Sequence, residues 1–287
     1  MRARRVRGAR VISFPQATVG ARLVEKRLGG VVGGGAVNTP SLVGSGRLLW
    51  VDAARGVAIL MMILYHLVYD LDTFGGYGLE STSGFWGLFA DATAALFVFL
   101  VGLSLCLSFR RTGEGRPGLY RKYLGRGARI LLYGMLITLV SWALGMGLIV
   151  FGILHLIGAS IILAYPFLRL GYANAVLGLL FLGAGAYVQS MSLTADGFGA
   201  LLLPFGVVPE GLFMPDYRPL LPWFGVVLLG LAAGNALRER PEGAGAVKGG
   251  FRAAGPLAFL GRYSLFIYLV HQPLLIAVLL ALGLVEL

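Results

Sequence analysis

The sequence predicts an all-α fold, a polytopic integral membrane helical bundle of about seven transmembrane helices with the N-terminus inside and the C-terminus outside. Three observations predict it. Hydrophobic residues make up 57% and charged residues 13% of the 287, and mean hydropathy is +0.82, so too few charges remain for the shell of a soluble domain. The apolar residues fall in long runs; lipid offers no partner for open backbone groups, so runs of roughly 20 residues must close their hydrogen bonds as helices. Lys and Arg, finally, crowd every other connector between those runs, as they do where alternate loops face the cytoplasm.

Residues 1–46 differ from the rest. Arg2, Arg4, Arg5, Arg7, Arg10, Arg22, Lys26 and Arg27 precede a Gly/Val stretch, which predicts a basic, Gly-rich and mostly disordered N-terminal extension ahead of a membrane domain over 47–287. Val11 to Phe14 is too short for the apolar core of a cleaved signal peptide. Helices are then expected at 49–70, 84–109, 126–145, 147–168, 172–190, 219–237 and 257–284. The segment before the first helix holds nine Lys and Arg. The 2–3 loop holds Arg110, Arg111, Arg116, Arg121, Lys122, Arg126 and Arg129, the 4–5 turn Arg169, and the 6–7 loop Arg238, Arg240, Lys248, Arg252 and Arg262. The opposite connectors carry Arg218 alone, with Asp72, Glu80, Asp196, Glu210 and Asp216. This alternation orients the bundle as a multi-pass plasma-membrane protein with a cytoplasmic N-terminus. It also accounts for the net charge of +11 without nucleic acid, because no single basic domain is formed. The 44 glycines suit close helix packing in lipid, and Cys106, the one cysteine, excludes an internal disulfide or a cysteine metal cluster.

Ionisable residues inside a span cost on the order of 2.5–3.5 kcal/mol at its centre and so ask for a function. Asp52, Arg55, Ile59, Met62, His66 and Asp70 advance by three or four residues and share one face of helix 1. Arg55 and His66 stand about 16 Å apart along it. Asp52 and Arg55 read either as an ion pair at the inner interface or as the foot of a functional stripe. Asp70, one turn from His66, reads either as a local partner or as the carboxylate that orients a general base. His66, Asp91 and His155 all fall roughly 9–12 Å below the outer surface, so they converge on one cavity if helices 1, 2 and 4 are neighbours. His271 lies nearer mid-span and reads as an interhelical or wall residue. No metal is expected, since no two histidines have the i,i+4 spacing of helical ligands.

The runs Val51 to Met62, Asp91 to Gly102 (DATAALFVFLVG), Phe151 to Gly158 (FGILHLIG), Asp216 to Gly230 and Leu260 to Pro273 (LGRYSLFIYLVHQP), taken in order, resemble the prokaryotic relatives of the heparan-α-glucosaminide N-acetyltransferase catalytic domain. The likeness covers 47–287. The opening D-x-x-R-G-x-A with Arg55-x10-His66 is also similar to the wider membrane acyltransferase group that O-acylates cell-surface sugars. The resemblance implies transfer of an acetyl group from cytosolic acetyl-CoA to an amine or hydroxyl of a sugar or glycoconjugate across the membrane. Arg55 and His66 match the motif pair of the acyltransferase group, and Asp91 matches the acid at the start of helix 2 in the heparan family. The animal heparan enzyme carries its catalytic histidine just before that acid, whereas Ser81 to Trp86 here holds none, which leaves the role to His66.

The site expected from the sequence is therefore His66, Asp70, Asp91 and His155 as the catalytic set, with Arg55, Arg110, Arg111, Arg126 and Arg129 holding the phosphates of acetyl-CoA, the donor substrate. The bland reading of the loop arginines is topology and contact with anionic membrane lipid. The sequence leaves a homo-oligomer open. The alternative function is a proton-coupled small-molecule transporter or exporter with His66, Asp70, Asp91 and His155 as its relay.

Overall fold

The computed structural model describes residues 49–113, 117–145, 147–191, 197–209, 214, 216–237 and 254–286. The extension predicted over 1–46 lies outside them, as do Arg116, Asp196, Glu210, Arg238, Arg240, Lys248 and Arg252. The described chain is an all-α, multi-pass membrane bundle. Its helices are α1 (Leu49–Gly75), α2 (Gly84–Thr112), α3 (Leu119–Ala143), α4 (Ile153–Leu163), α5 (Ala173–Ser190), α6 (Leu220–Ala236), α7 (Ala254–Arg262) and α8 (Ser264–Ala281), with 3-10 turns at Pro166–Arg169 and Gly197–Phe205. Five of these, α1, α2, α3, α5 and α8, are long and apolar enough to cross a membrane, and α4 and α6 are shorter apolar helices.

Three expected elements change. The helix expected over 147–168 is shortened to α4, Ile153–Leu163, with the 3-10 turn Pro166–Arg169 after it, which leaves it too short to be counted with the long spans. The helix expected over 257–284 is broken at Tyr263 into α7 and α8. Opposite α1, Gly261 lies against the Asp52 carbonyl and Gly56 against that of Leu257, whereas His66 meets His271 and the Glu286 N–H donates to the Phe74 carbonyl. The first pairing runs antiparallel to α1 and the second parallel, so the break changes the chain's course along α1. The third helix, expected from 126, starts at Leu119 behind Gly118, whose φ of 79° suits glycine. It extends because Leu119 and Tyr123 are buried while Arg121, Lys122, Arg126 and Arg129 point outward, a helical division of faces.

The core lies between α2, α4 and α6, where Val98, Leu105, Leu156, Ile161, Val227, Leu228 and Leu231 are buried together. Glycines set the approach of these helices. A Cβ on Gly102 of α2 would sit 2.0 Å from the Val227 carbonyl oxygen of α6, and one on Gly230 of α6 would sit 2.2 Å from that of Phe99. Dispersion and backbone contact, rather than water exclusion, hold such crossings in lipid. The large apolar residues of α3 and α5, among them Leu132, Met135, Leu136, Val176, Leu179 and Leu180, face outward, as lipid-facing helices require.

Candidate active site

The site begins where residues 216–218 are pinned to the start of α4. The Ile153 N–H donates to Asp216 Oδ2 at 3.0 Å, which places an acid at a helix N-terminus, and the Arg218 N–H donates to the Phe151 carbonyl at 3.0 Å. Gly152 permits this, since a Cβ there would lie 2.7 Å from Asp216 Oδ2. Arg218 is thereby aimed at Asp91 of α2, with Nη1 at 3.0 Å from Oδ1, and its guanidinium lies 5.0 Å above the Trp223 ring. Two cavities share this ion pair and Tyr217. One, of about 520 Å³, is also lined by Tyr65, Thr82, Ser83 and Met214. The other, of about 600 Å³, is lined by Gln189, Val208, Pro219 and Trp223. The Tyr217 hydroxyl donates to the Leu203 carbonyl at 2.6 Å, and burial pushes its pKa up to about 12. With its one proton committed to Leu203, it offers the cavities only an oxygen acceptor and carries no charge at neutral pH.

His66 stands behind Tyr65, ring to ring at 5.5 Å. Its Nδ1 is 2.9 Å from the Met62 carbonyl. A carbonyl only accepts, so Nδ1 carries the proton and Nε2 keeps its lone pair. His271 of α8 packs edge to face on His66 at 4.7 Å. Its Nδ1 donates to the Tyr268 carbonyl at 2.7 Å, which fixes the same tautomer. His155 differs: its Nδ1 accepts the Gly152 N–H at 3.3 Å, so the proton sits on Nε2. Its ring lies against Gly134 of α3, where a Cβ would come within 3.0 Å, and beside Phe151.

The sequence-derived residues thus divide into groups. His66 meets His271, a residue assigned only a wall role from the sequence. Asp91 is held by Arg218, with 56% of its side chain exposed. Asp70 is fully buried, and its Oδ1 accepts from Gln272 Nε2 of α8 at 2.6 Å. Between Arg55 and His66, the stripe on α1 is filled by Ile59 and Met62, 0% and 3% exposed. Arg55 itself reaches Asp52 Oδ1 at 3.0 Å and Ser104 Oγ of α2 at 2.5 Å. Six residues further along α2, about 9 Å, Arg110 donates to Asn235 Oδ1 of α6, while its Nη1 is buried with no partner among the described residues. Arg111, Arg126 and Arg129 are exposed. Lys122 Nζ donates to Thr112 Oγ1 at 3.2 Å, which brings the basic start of α3 to the end of α2. Asp91 and Arg110 are 19 residues apart on α2, about 28 Å at helical rise, so the cavities and the basic cluster occupy opposite ends of one span. Among the described residues no three His, Cys, Asp or Glu side chains gather as a metal would require.

Sequence reasoning left Arg218 and Asp216 out of the site and gave His271 only a wall role. Arg218 had a signal, being the one cation in the sequence among the connectors that alternate with the basic ones; the other two depend on packing across helices.

Among known proteins, no curated protein and no solved structure matches the chain. The family model described as heparan-alpha-glucosaminide N-acetyltransferase, catalytic, matches residues 47–273, a span that contains α1 to α7, both cavities and the His66–His271 pair. The chain therefore belongs to the heparan-alpha-glucosaminide N-acetyltransferase catalytic family.

Proposed function

We propose that this protein is a transmembrane acetyltransferase that moves an acetyl group from cytosolic acetyl-CoA to an amine or hydroxyl of a sugar or glycoconjugate at the outer face. The observation that carries the reading is His66, whose Nδ1 is tied to Met62 so that Nε2 keeps its lone pair one ring away from a cavity lined by Tyr65. In this reading the N-terminus is cytoplasmic, and the basic ends of α2 and α3 face inward. The exposed Arg111, Arg126 and Arg129 hold the phosphates of the donor, joined by Arg110, whose buried Nη1 has no partner among the described residues.

The acceptor lies in the outer cavities between Arg218, Asp91, Tyr217 and Trp223. His66 Nε2 removes the proton as the acceptor nitrogen or oxygen attacks the thioester carbonyl. The carbon–sulfur bond breaks, and the proton passes to the leaving thiolate of CoA. Met62 and Ile59 must part for the donor arm to reach His66 along the α1 stripe, so a conformational step precedes transfer.

The test is transfer of labelled acetyl from acetyl-CoA inside proteoliposomes to an amino sugar or glycoside outside. Flux of a small molecule driven by a pH gradient, with no consumption of acetyl-CoA, would instead establish the transporter reading. Two further results are expected. Acetyl-CoA at about 100 times its Kd raises the unfolding free energy of the purified protein by about 2.7 kcal/mol, measured as a Tm increase that a non-nucleotide thioester does not produce. Arg218→Ala, which removes the Asp91 ion pair and the Trp223 contact, raises the acceptor KM on the order of tenfold with little change in the donor Kd; an unchanged acceptor KM removes Arg218 from the site.

A further inference from the structure

Asp70 and Gln272 form a buried contact that the acyl-transfer chemistry above does not use. Asp70 is completely buried near the C-terminal end of α1. Gln272 directly follows His271 on α8, and its Nε2 donates to Asp70 Oδ1 at 2.6 Å. Two atoms then remain, Asp70 Oδ2 and Gln272 Oε1, each buried with no hydrogen-bond partner among the described residues. Both are acceptors if the carboxyl is ionised, and each then forfeits water for nothing. One proton on Oδ2 removes both deficits, because a carboxylic acid and a primary amide are complementary: each offers one donor and one acceptor in the same plane.

We infer that Asp70 is a neutral carboxylic acid joined to Gln272 by two hydrogen bonds, Nε2–H to Oδ1 and Oδ2–H to Oε1, and that this pair is the clasp that sets α8 on α1 so that His271 meets His66. Three further features of the structure agree. The pair is one residue from His271 and four from His66, so any shift of the clasp moves both rings. Pro273 follows Gln272 inside α8 and cannot donate a backbone N–H there, so the helix is weakest where the clasp holds it. His66 takes its own orientation from Met62 and does not require Asp70 as an ionised partner. The other titratable groups near Asp70 in sequence on α1 are His66, Tyr69 and Asp72, whose carboxylate is taken by the Leu79 and Ser81 N–H groups, and His271 stands beside Gln272 on α8. Asp91, on α2, is matched by Arg218, and none of these is a cation placed on Asp70.

The role assigned to Asp70 is positioning. Its effect on rate rests on the transferase reading, but the protonation state does not. Infrared difference spectra of the purified protein at neutral pH, wild type against Asp70→Asn, are expected to show a protonated-carboxyl band that the substitution removes. Asp70→Asn preserves both hydrogen bonds, with the new amide N–H donating to Gln272 Oε1, and is expected to keep transfer within about threefold of wild type. Gln272→Leu and Asp70→Leu leave one buried partner unsatisfied and are expected to lower kcat at least about tenfold with the donor Kd unchanged. An ionised Asp70 in the infrared spectrum overturns the clasp whether or not any transferase activity is found. So does an Asp70→Asn protein that is folded and binds acetyl-CoA yet is as inactive as Gln272→Leu. Absence of transfer in wild type, with the protonated band present, overturns the functional reading and leaves the clasp standing.

Discussion

His66→Ala is expected to lower acetyl transfer by ~10²–10⁴-fold while acetyl-CoA still stabilises the purified protein. The size follows from the one task assigned to the ring, general-base catalysis by Nε2, and from the way the fold prepares it. The Met62 carbonyl holds the proton on Nδ1, and His271 fixes the ring plane from α8. Loss of the imidazole therefore removes the base and nothing that binds phosphate, since Arg55, Arg110 and the basic start of α3 lie toward the other end of α2. His66 is only half-buried, so truncation costs less stability than a full core deletion, for which about 2–5 kcal/mol is usual. Initial rates and thermal melts with and without donor separate these effects. His271→Ala is the informative companion: it leaves the base in place and loosens its ring, so it should lower kcat less than His66→Ala does. Wild-type rates in a His66→Ala protein with normal melting would remove His66 from the chemistry.

The elements legible in the sequence are those fixed by the solvent. Lipid demands apolar helices, so the five long spans could be located from hydropathy alone, and their polar exceptions stood out. Contacts across helices were less legible. The common depth assigned to His66, Asp91 and His155 was an axial quantity, obtained from helical rise. It carried no information on azimuth, which decides that His66 faces His271 and that Asp91 faces Arg218. Asp70 could be read as a partner of His66 because i,i+4 neighbours on one helix are visible in sequence, whereas Gln272, 202 residues away, is not. The division at Tyr263 was hidden for a similar reason. Gly261, Arg262, Tyr263 and Ser264 interrupt the apolar run too briefly to end a helix by composition. What bends the chain there is the fit of α7 to α1.

That fit makes the second large effect, on stability. A Cβ on Gly261 would lie 1.7 Å from the Asp52 carbonyl oxygen, 2.6 Å from its carbon and 3.1 Å from the Arg55 Cβ, and a Cβ on Gly56 would lie 2.0 Å from the Leu257 carbonyl oxygen. The obstacles are backbone atoms, which cannot rotate away as a side-chain tip can. Each helix is notched where the other's carbonyl enters, so Gly261→Ala can be accommodated only by moving α7 as a body. Overpacking costs typically about 1–3 kcal/mol where side chains can adjust; here the cost should reach or exceed the top of that range. The displacement also carries Arg262 away from Asp52, now 3.9 Å distant, and disturbs the Asp52–Arg55–Ser104 chain at the foot of the α1 stripe, so donor binding should weaken along with stability. Gly255→Ala on the same helix is the control. It meets no described atom within 4 Å, and by helix propensity should be neutral or stabilising by up to about 1 kcal/mol. Melting of the two variants in detergent decides the matter: equal Tm values would show that α7 does not pack on α1 through Gly261, whereas a marked drop confined to Gly261→Ala would tie the course of α7, and with it the placement of Arg55, to two hydrogen atoms on one α-carbon.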